Sequence, residues 1–268
     1  MRRPEEEEPE SAPGLPPPST APEATPLDGF ILLFAAAVLF VAGGWYIRVH
    51  NPTLTNLAFL ELGALLAPTV VWALLRGFLV KIWPSAKVGK RGLAYAFLLM
   101  AGGSFAALGI ATLISAIPGV QARETVLEAA LLRYPAYLRI LLFALLPALC
   151  EETLFRGALL HCFRRWGAVR ACIASGLLFA LFHLSAAQFL PVAILGTALA
   201  FVVWKTGNIW LSMLGHFAHN SFILLSIALP AGKDHPAVLP GAFSLLFVGV
   251  VLVSLAAATA RRGFRRSG

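Results

Sequence analysis

From Gly29 to Ala260 the chain is divided into eight apolar runs, and most of them are long enough to cross a lipid hydrocarbon core. They lie at about 29–47, 56–80, 93–117, 140–160, 171–185, 188–204, 208–229 and 241–260. In lipid no water is present to satisfy backbone N–H and C=O groups, so a spanning segment is a helix or a strand of a closed barrel. A barrel strand alternates apolar and polar residues; these runs are continuous, which selects the helix. The composition agrees, with 59% apolar residues, 13% charged residues and a mean hydropathy of +0.80. The fold class is therefore an all-α polytopic membrane protein, a bundle of about eight transmembrane helices.

Two segments fall outside this pattern. Residues 1–27 carry Glu5 to Glu8 and Pro16 to Pro18 in a Pro, Glu, Ser and Thr background, too polar to bury a core. They read as a disordered acidic, Pro-rich tail, ahead of a membrane-embedded helical domain over 28–268. Their acidity also excludes a signal peptide, which opens with basic residues. Between the third and fourth runs, Arg123, Glu124, Glu128 and Arg133 alternate with Val126, Leu127, Leu131 and Leu132. That mix fits an amphipathic helix lying at the membrane interface, or an ordinary polar connecting helix. No internal repeat is visible, which weighs against an inverted-repeat transporter.

The formal charge of +8 does not indicate a nucleic-acid partner, because the basic residues sit in short loops between the apolar runs. With eight spans both termini share one side. Fourteen lysines and arginines fall on that side and five on the other, so the termini are expected in the cytoplasm. Cys150, Cys162 and Cys172 lie within or beside apolar runs without metal-ligand or disulfide spacing and read as small buried hydrophobes. Trp45, Trp83, Trp166, Trp204 and Trp210 fall near span ends, as interfacial anchors do. Glu61, in the second run, receives no role.

The fourth run carries an unusual cost. Glu151, Glu152 and Arg156 sit in an otherwise apolar stretch, and ionised groups at bilayer depth survive mainly where they face a protein interior and find partners. Glu152 and Arg156 are four apart and share a helical face, so they can pair. Glu151 is turned about 100° away and has no local partner. The fifth run adds His183, one turn after Phe179, and the seventh adds His216 and Asn220, four apart on one face. Any one of these is readily a packing residue. Six on three spans predict a shared polar cavity within a motif-bearing core over 140–229.

Such a set supports peptide-bond hydrolysis by an activated water. A desolvated glutamate serves as general base, a histidine orients the water, and a second histidine with an asparagine supplies donors to an oxyanion. No serine or cysteine stands with a base in the pattern of a covalent nucleophile. A zinc version is open too, with Glu151, His183 and His216 as ligands, although the helical HExxH motif is absent. Glutamate and histidine chains also build proton relays, so a proton-coupled transporter is a competing class. A non-catalytic membrane partner or immunity protein is another.

The pattern Glu-Glu-x-x-x-Arg at Glu151, Glu152 and Arg156, Phe-x-x-x-His ending at His183, and His-x-x-x-Asn at His216 and Asn220 resembles the CAAX-protease and bacteriocin-processing (Abi) family. These are intramembrane endopeptidases of eight-helix type. The resemblance covers about Leu145 to Ile223, with the three motifs in the family's order. It implies that Glu151 activates water with help from His183, that His216 and Asn220 stabilise the oxyanion, and that Glu152 and Arg156 form a supporting pair. It implies no required cofactor in the glutamate-protease description of the family, and zinc in the metalloprotease one. The implied substrate is a membrane-associated protein or peptide, C-terminally processed or lipidated in some members, and the implied location is a membrane; the Pro-rich tail and the Ala, Leu, Gly and Arg richness give it a bacterial inner-membrane character. Whether the target is a prenylated CAAX end, a bacteriocin peptide or a C-terminal sorting tail is left open by the motifs.

Overall fold

The computed structural model describes residues 24–50, 53–117, 134–226 and 238–261. The acidic tail up to residue 23 and the amphipathic stretch 118–133 lie outside them. Eight helical segments follow in order: α1 (Pro26–His50), α2 (54–75), α3 (Lys90–Ser115), α4 (136–162), α5 (Ala168–Phe182), α6 (Ala186–Thr206), α7 (Ile209–Ser226) and α8 (Val238–Arg261). Each matches one of the eight apolar runs to within about five residues at either end. Five stretches are long and apolar enough to cross a membrane by length and composition: Pro26–His50, Ala58–Leu75, Lys90–Ser115, Ala186–Thr206 and Leu239–Arg261. The protein is an all-α polytopic membrane protein. The only extended pairing among the described residues is an isolated bridge between Ser85 and Asn208.

Packing follows the rule for helices in lipid, where tails are as apolar as leucine and close backbone approach supplies the attraction. The α3–α8 contact runs along glycines. A methyl group on Gly102 would stand 2.9 Å from Val253, and one on Gly249 would stand 2.8 Å from the Ala106 backbone. The α5–α6 contact closes at Gly176, where a side chain would collide with Thr197. The outward faces keep large apolar residues exposed, among them Phe34, Phe97 and Phe247, as a lipid-facing surface requires.

Two helices contain a π-helical turn just ahead of a proline. In α2 the turn Leu62–Leu66 precedes Pro68, and in α4 the turn Leu141–Leu145 precedes Pro147. A proline has no N–H to give and its ring clashes with the carbonyl four residues back, so the turn widens to admit it. A third π-segment, Thr153–Leu159, begins directly after Glu152. Such bulges inside α-helices gather at functional sites.

The fifth span ends earlier than its apolar run. Its helix stops at Phe182, so His183 caps the helix rather than riding on it. Leu184 takes a left-handed conformation at φ 50°, and Ser185 then caps α6 by accepting from the backbone of Gln188. A left-handed leucine costs about 1–2 kcal/mol. Here the strained residue is the one that turns the chain immediately after a motif histidine.

Candidate active site

Glu152 is the centre of a buried hydrogen-bond cluster. Its Oε1 accepts from Arg156 Nη1 at 2.7 Å and lies 3.0 Å from His216 Nδ1, while its Oε2 accepts from Ser212 Oγ. Because a carboxylate only accepts, His216 carries its proton on Nδ1. The Arg156 guanidinium also donates from Nη2 to the Gly196 carbonyl at 2.9 Å and stacks 4.4 Å above the Phe179 ring. Glycine is needed at position 196, since a methyl group there would stand 2.9 Å from Phe179 and 3.0 Å from that guanidinium.

Glu151 differs in kind from its neighbour. Its nearest charged partner is His216 Nε2, at 3.6 Å, too long for a hydrogen bond. Its side chain is 12% exposed, whereas that of Glu152 is fully enclosed. One carboxylate is saturated and sealed; the next is unsaturated and partly open. The helical period causes this difference, because neighbouring residues on one helix face different surroundings.

His183 joins the site from the end of α5. Its Nδ1 donates to the Phe179 carbonyl at 2.9 Å, one of the helix-terminal carbonyls without an intrahelical donor. That bond fixes the tautomer and leaves the Nε2 lone pair free to accept. The Phe179 ring meets His183 edge-on at 4.8 Å and His216 edge-on at 5.6 Å, so one aromatic side chain sets the orientation of both imidazoles. Among the described residues, His183 makes no hydrogen bond with either glutamate.

Asn220 stands one turn beyond His216 on α7. Its Nδ2 donates to the Phe143 carbonyl at 3.4 Å. The α-helical donor to that carbonyl would be residue 147, a proline, so the asparagine serves a group that the π-turn leaves short. Asn220 touches neither glutamate. Of the six residues expected to converge, Glu151, Glu152, Arg156 and His216 form one contacting cluster. His183 is tied to it through Phe179, and Asn220 through its own helix.

Three further residues belong to the site that the sequence did not assign to it. Ser212 continues the four-residue ladder of His216 and Asn220 backward by one turn, a spacing that could have found it. Ser212→Ala is expected to cost about 1–3 kcal/mol by leaving a buried carboxylate oxygen short of a donor, read as a lowered melting temperature in detergent. Glu61 is the last residue before the π-turn of α2. It lies within electrostatic reach of Glu151 and His216, and its Oε2 is enclosed without a hydrogen-bond partner among the described residues. No spacing rule links it to motifs on other spans, so only packing reveals it. Trp83 had read as an interfacial anchor, yet its indole N–H reaches inward to Thr153, beside Glu152, at 3.0 Å.

Among the described residues no group of three His, Cys, Asp or Glu side chains gathers closely enough to hold a metal ion. The three cysteines are free and buried, as small hydrophobes are.

Residues 133–222 match the family model described as Rce1-like, type II CAAX prenyl endopeptidase Rce1-like. No curated protein and no solved structure matches the chain. The matched segment begins just ahead of α4 and ends within α7, and so contains all six motif residues.

Proposed function

We propose that this integral membrane protein, whose residues 133–222 match the Rce1-like family model, is a CAAX-protease-type endopeptidase that hydrolyses a peptide bond of a membrane-associated protein or peptide with a water activated by Glu151. The observation that carries this reading is the inequality of the two adjacent carboxylates. Glu152 is filled by Arg156, Ser212 and His216, which suits a supporting role; among the described residues Glu151 accepts no hydrogen bond, and it is 12% exposed, which suits a base.

In the proposed reaction Glu151 takes a proton from a water that also donates to the free Nε2 of His183. The water oxygen attacks the scissile carbonyl carbon, and the carbonyl oxygen becomes an oxyanion. His216, held through Nδ1 by Glu152, presents Nε2 to the reacting centre and donates to the oxyanion when the ring carries its second proton. Asn220 has a second amide N–H for the same oxygen. Collapse of the intermediate breaks the C–N bond, and the proton held by Glu151 passes to the leaving amine.

The proposed reaction is written without zinc, and among the described residues no group of three ligating side chains gathers. Purified enzyme that turns over substrate is accordingly expected to contain no stoichiometric zinc by elemental analysis, and to keep its activity after chelation. The excess of basic residues in one set of loops supports placing both termini in the cytoplasm, and with them the site in the cytoplasmic half of α4. A bacterial inner membrane is the proposed location.

The test compares peptide termini in cells that express the wild-type chain or Glu151→Gln at equal abundance. Termini that appear only with wild type establish the protease and its cleavage rule together. Identical profiles, in the presence of a membrane-anchored reporter library, would overturn it in favour of a non-catalytic partner.

A further inference from the structure

A cavity of about 180 Å³ lies beside the site at the end of the bundle where the basic loops gather. Its lining contains Lys81, His161, Arg164 and Arg156 and no carboxylate. It is smaller than the roughly 300–1,000 Å³ of sites that enclose drug-sized molecules, which points to a small head group rather than a peptide segment.

The cavity is built rather than incidental. Its outer wall is the loop 79–86, pinned to the turn before α7 by Ala86 N–H donating to the Gly207 carbonyl at 3.0 Å and Asn208 Nδ2 donating to the Ala86 carbonyl at 3.0 Å. The same loop lies directly against Gly157, where any side chain would strike the Ile82 carbonyl. Arg156 closes the inner end, with its side chain fully enclosed behind the lining. Two of its nitrogens are committed to Glu152 and Gly196, but Nε is enclosed without a hydrogen-bond partner. At the mouth, Lys81 and Arg164 are exposed, and Arg164 is steadied 5.8 Å over the Trp204 ring.

The neighbourhood says which head group. Val80, beside Lys81, is 87% exposed, and Leu75 at the end of α2 is 80% exposed. Apolar side chains so open, next to a lysine at a span end, lie where lipid tails meet head groups. We propose that this cavity binds the phosphate of an anionic phospholipid, held by Lys81 and Arg164 at the mouth. Basic pockets between transmembrane helices recognise head groups in this way. The proposal is independent of the reaction: it concerns lipid binding by the folded chain, whether or not that chain cleaves anything.

The test uses the purified full chain in phosphatidylcholine nanodiscs titrated with phosphatidylglycerol, with bound lipid counted by native mass spectrometry. Lys81→Ala/Arg164→Ala is expected to weaken phosphatidylglycerol retention about ten- to thirtyfold, since each basic group near a membrane contributes about a factor of five. Lys90→Ala/Arg91→Ala removes the same charge outside the cavity, where neither residue lines the bound phosphate, and is expected to weaken retention several-fold less than the cavity pair. Both pairs lie on exposed positions, and melting curves verify that the variants are folded. Equal losses in the two double variants, or none in the first, would overturn the proposal. So would displacement of the lipid by millimolar inorganic phosphate, which would make the ligand a free anion.

Discussion

Glu151→Gln is expected to lower turnover by roughly 10²- to 10⁴-fold, the contribution of a positioned general base. The amide keeps the shape of the side chain, and Glu151 makes no hydrogen bond whose loss would unsettle the fold. Abundance in the membrane and the melting temperature are therefore expected to stay near wild type. The measurement is single-turnover cleavage by purified protein on a membrane-anchored substrate. Retained turnover would remove Glu151 as the base and leave Glu61 as the remaining unsaturated carboxylate near His216.

Arg156→Ala is expected to act on the fold. The substitution strips a fully enclosed glutamate of its only permanent cation, and breaking a buried pair from one side costs about 3–5 kcal/mol. It also deprives the Gly196 carbonyl of its guanidinium donor and removes the cation from the face of Phe179, the ring that orients both histidines. Membrane abundance and activity are expected to fall together. Glu152→Gln/Arg156→Met, which removes both charges, is expected to recover abundance without activity, because no buried charge is then left alone. A stable but inactive Arg156→Ala protein would instead assign the arginine a direct part in the chemistry.

These two expectations separate the kinds of information in the chain. The spans were legible because lipid imposes one condition on every residue between its surfaces, and continuous apolar runs satisfy it only as helices. The pair Glu152–Arg156 was legible because its partners lie one turn apart on one helix, where spacing alone determines proximity. So was the ladder of His216 and Asn220, which Ser212 extends by one turn.

Proximity between helices had no such rule behind it. Glu61 looked like an isolated acid in an apolar run until α2 packed against α4, and Trp83 looked like an anchor until its loop folded onto Thr153. The end of α5 at Phe182 was also hidden, because hydropathy continues past it while the backbone turns at Leu184. The sequence by itself determined a membrane-spanning helical chain with ionisable groups on three spans, since the cost of burying charge in lipid is local and severe. Only the tertiary structure decided that Glu152 is enclosed and Glu151 open, because that difference depends on which neighbouring helix each of two adjacent side chains meets.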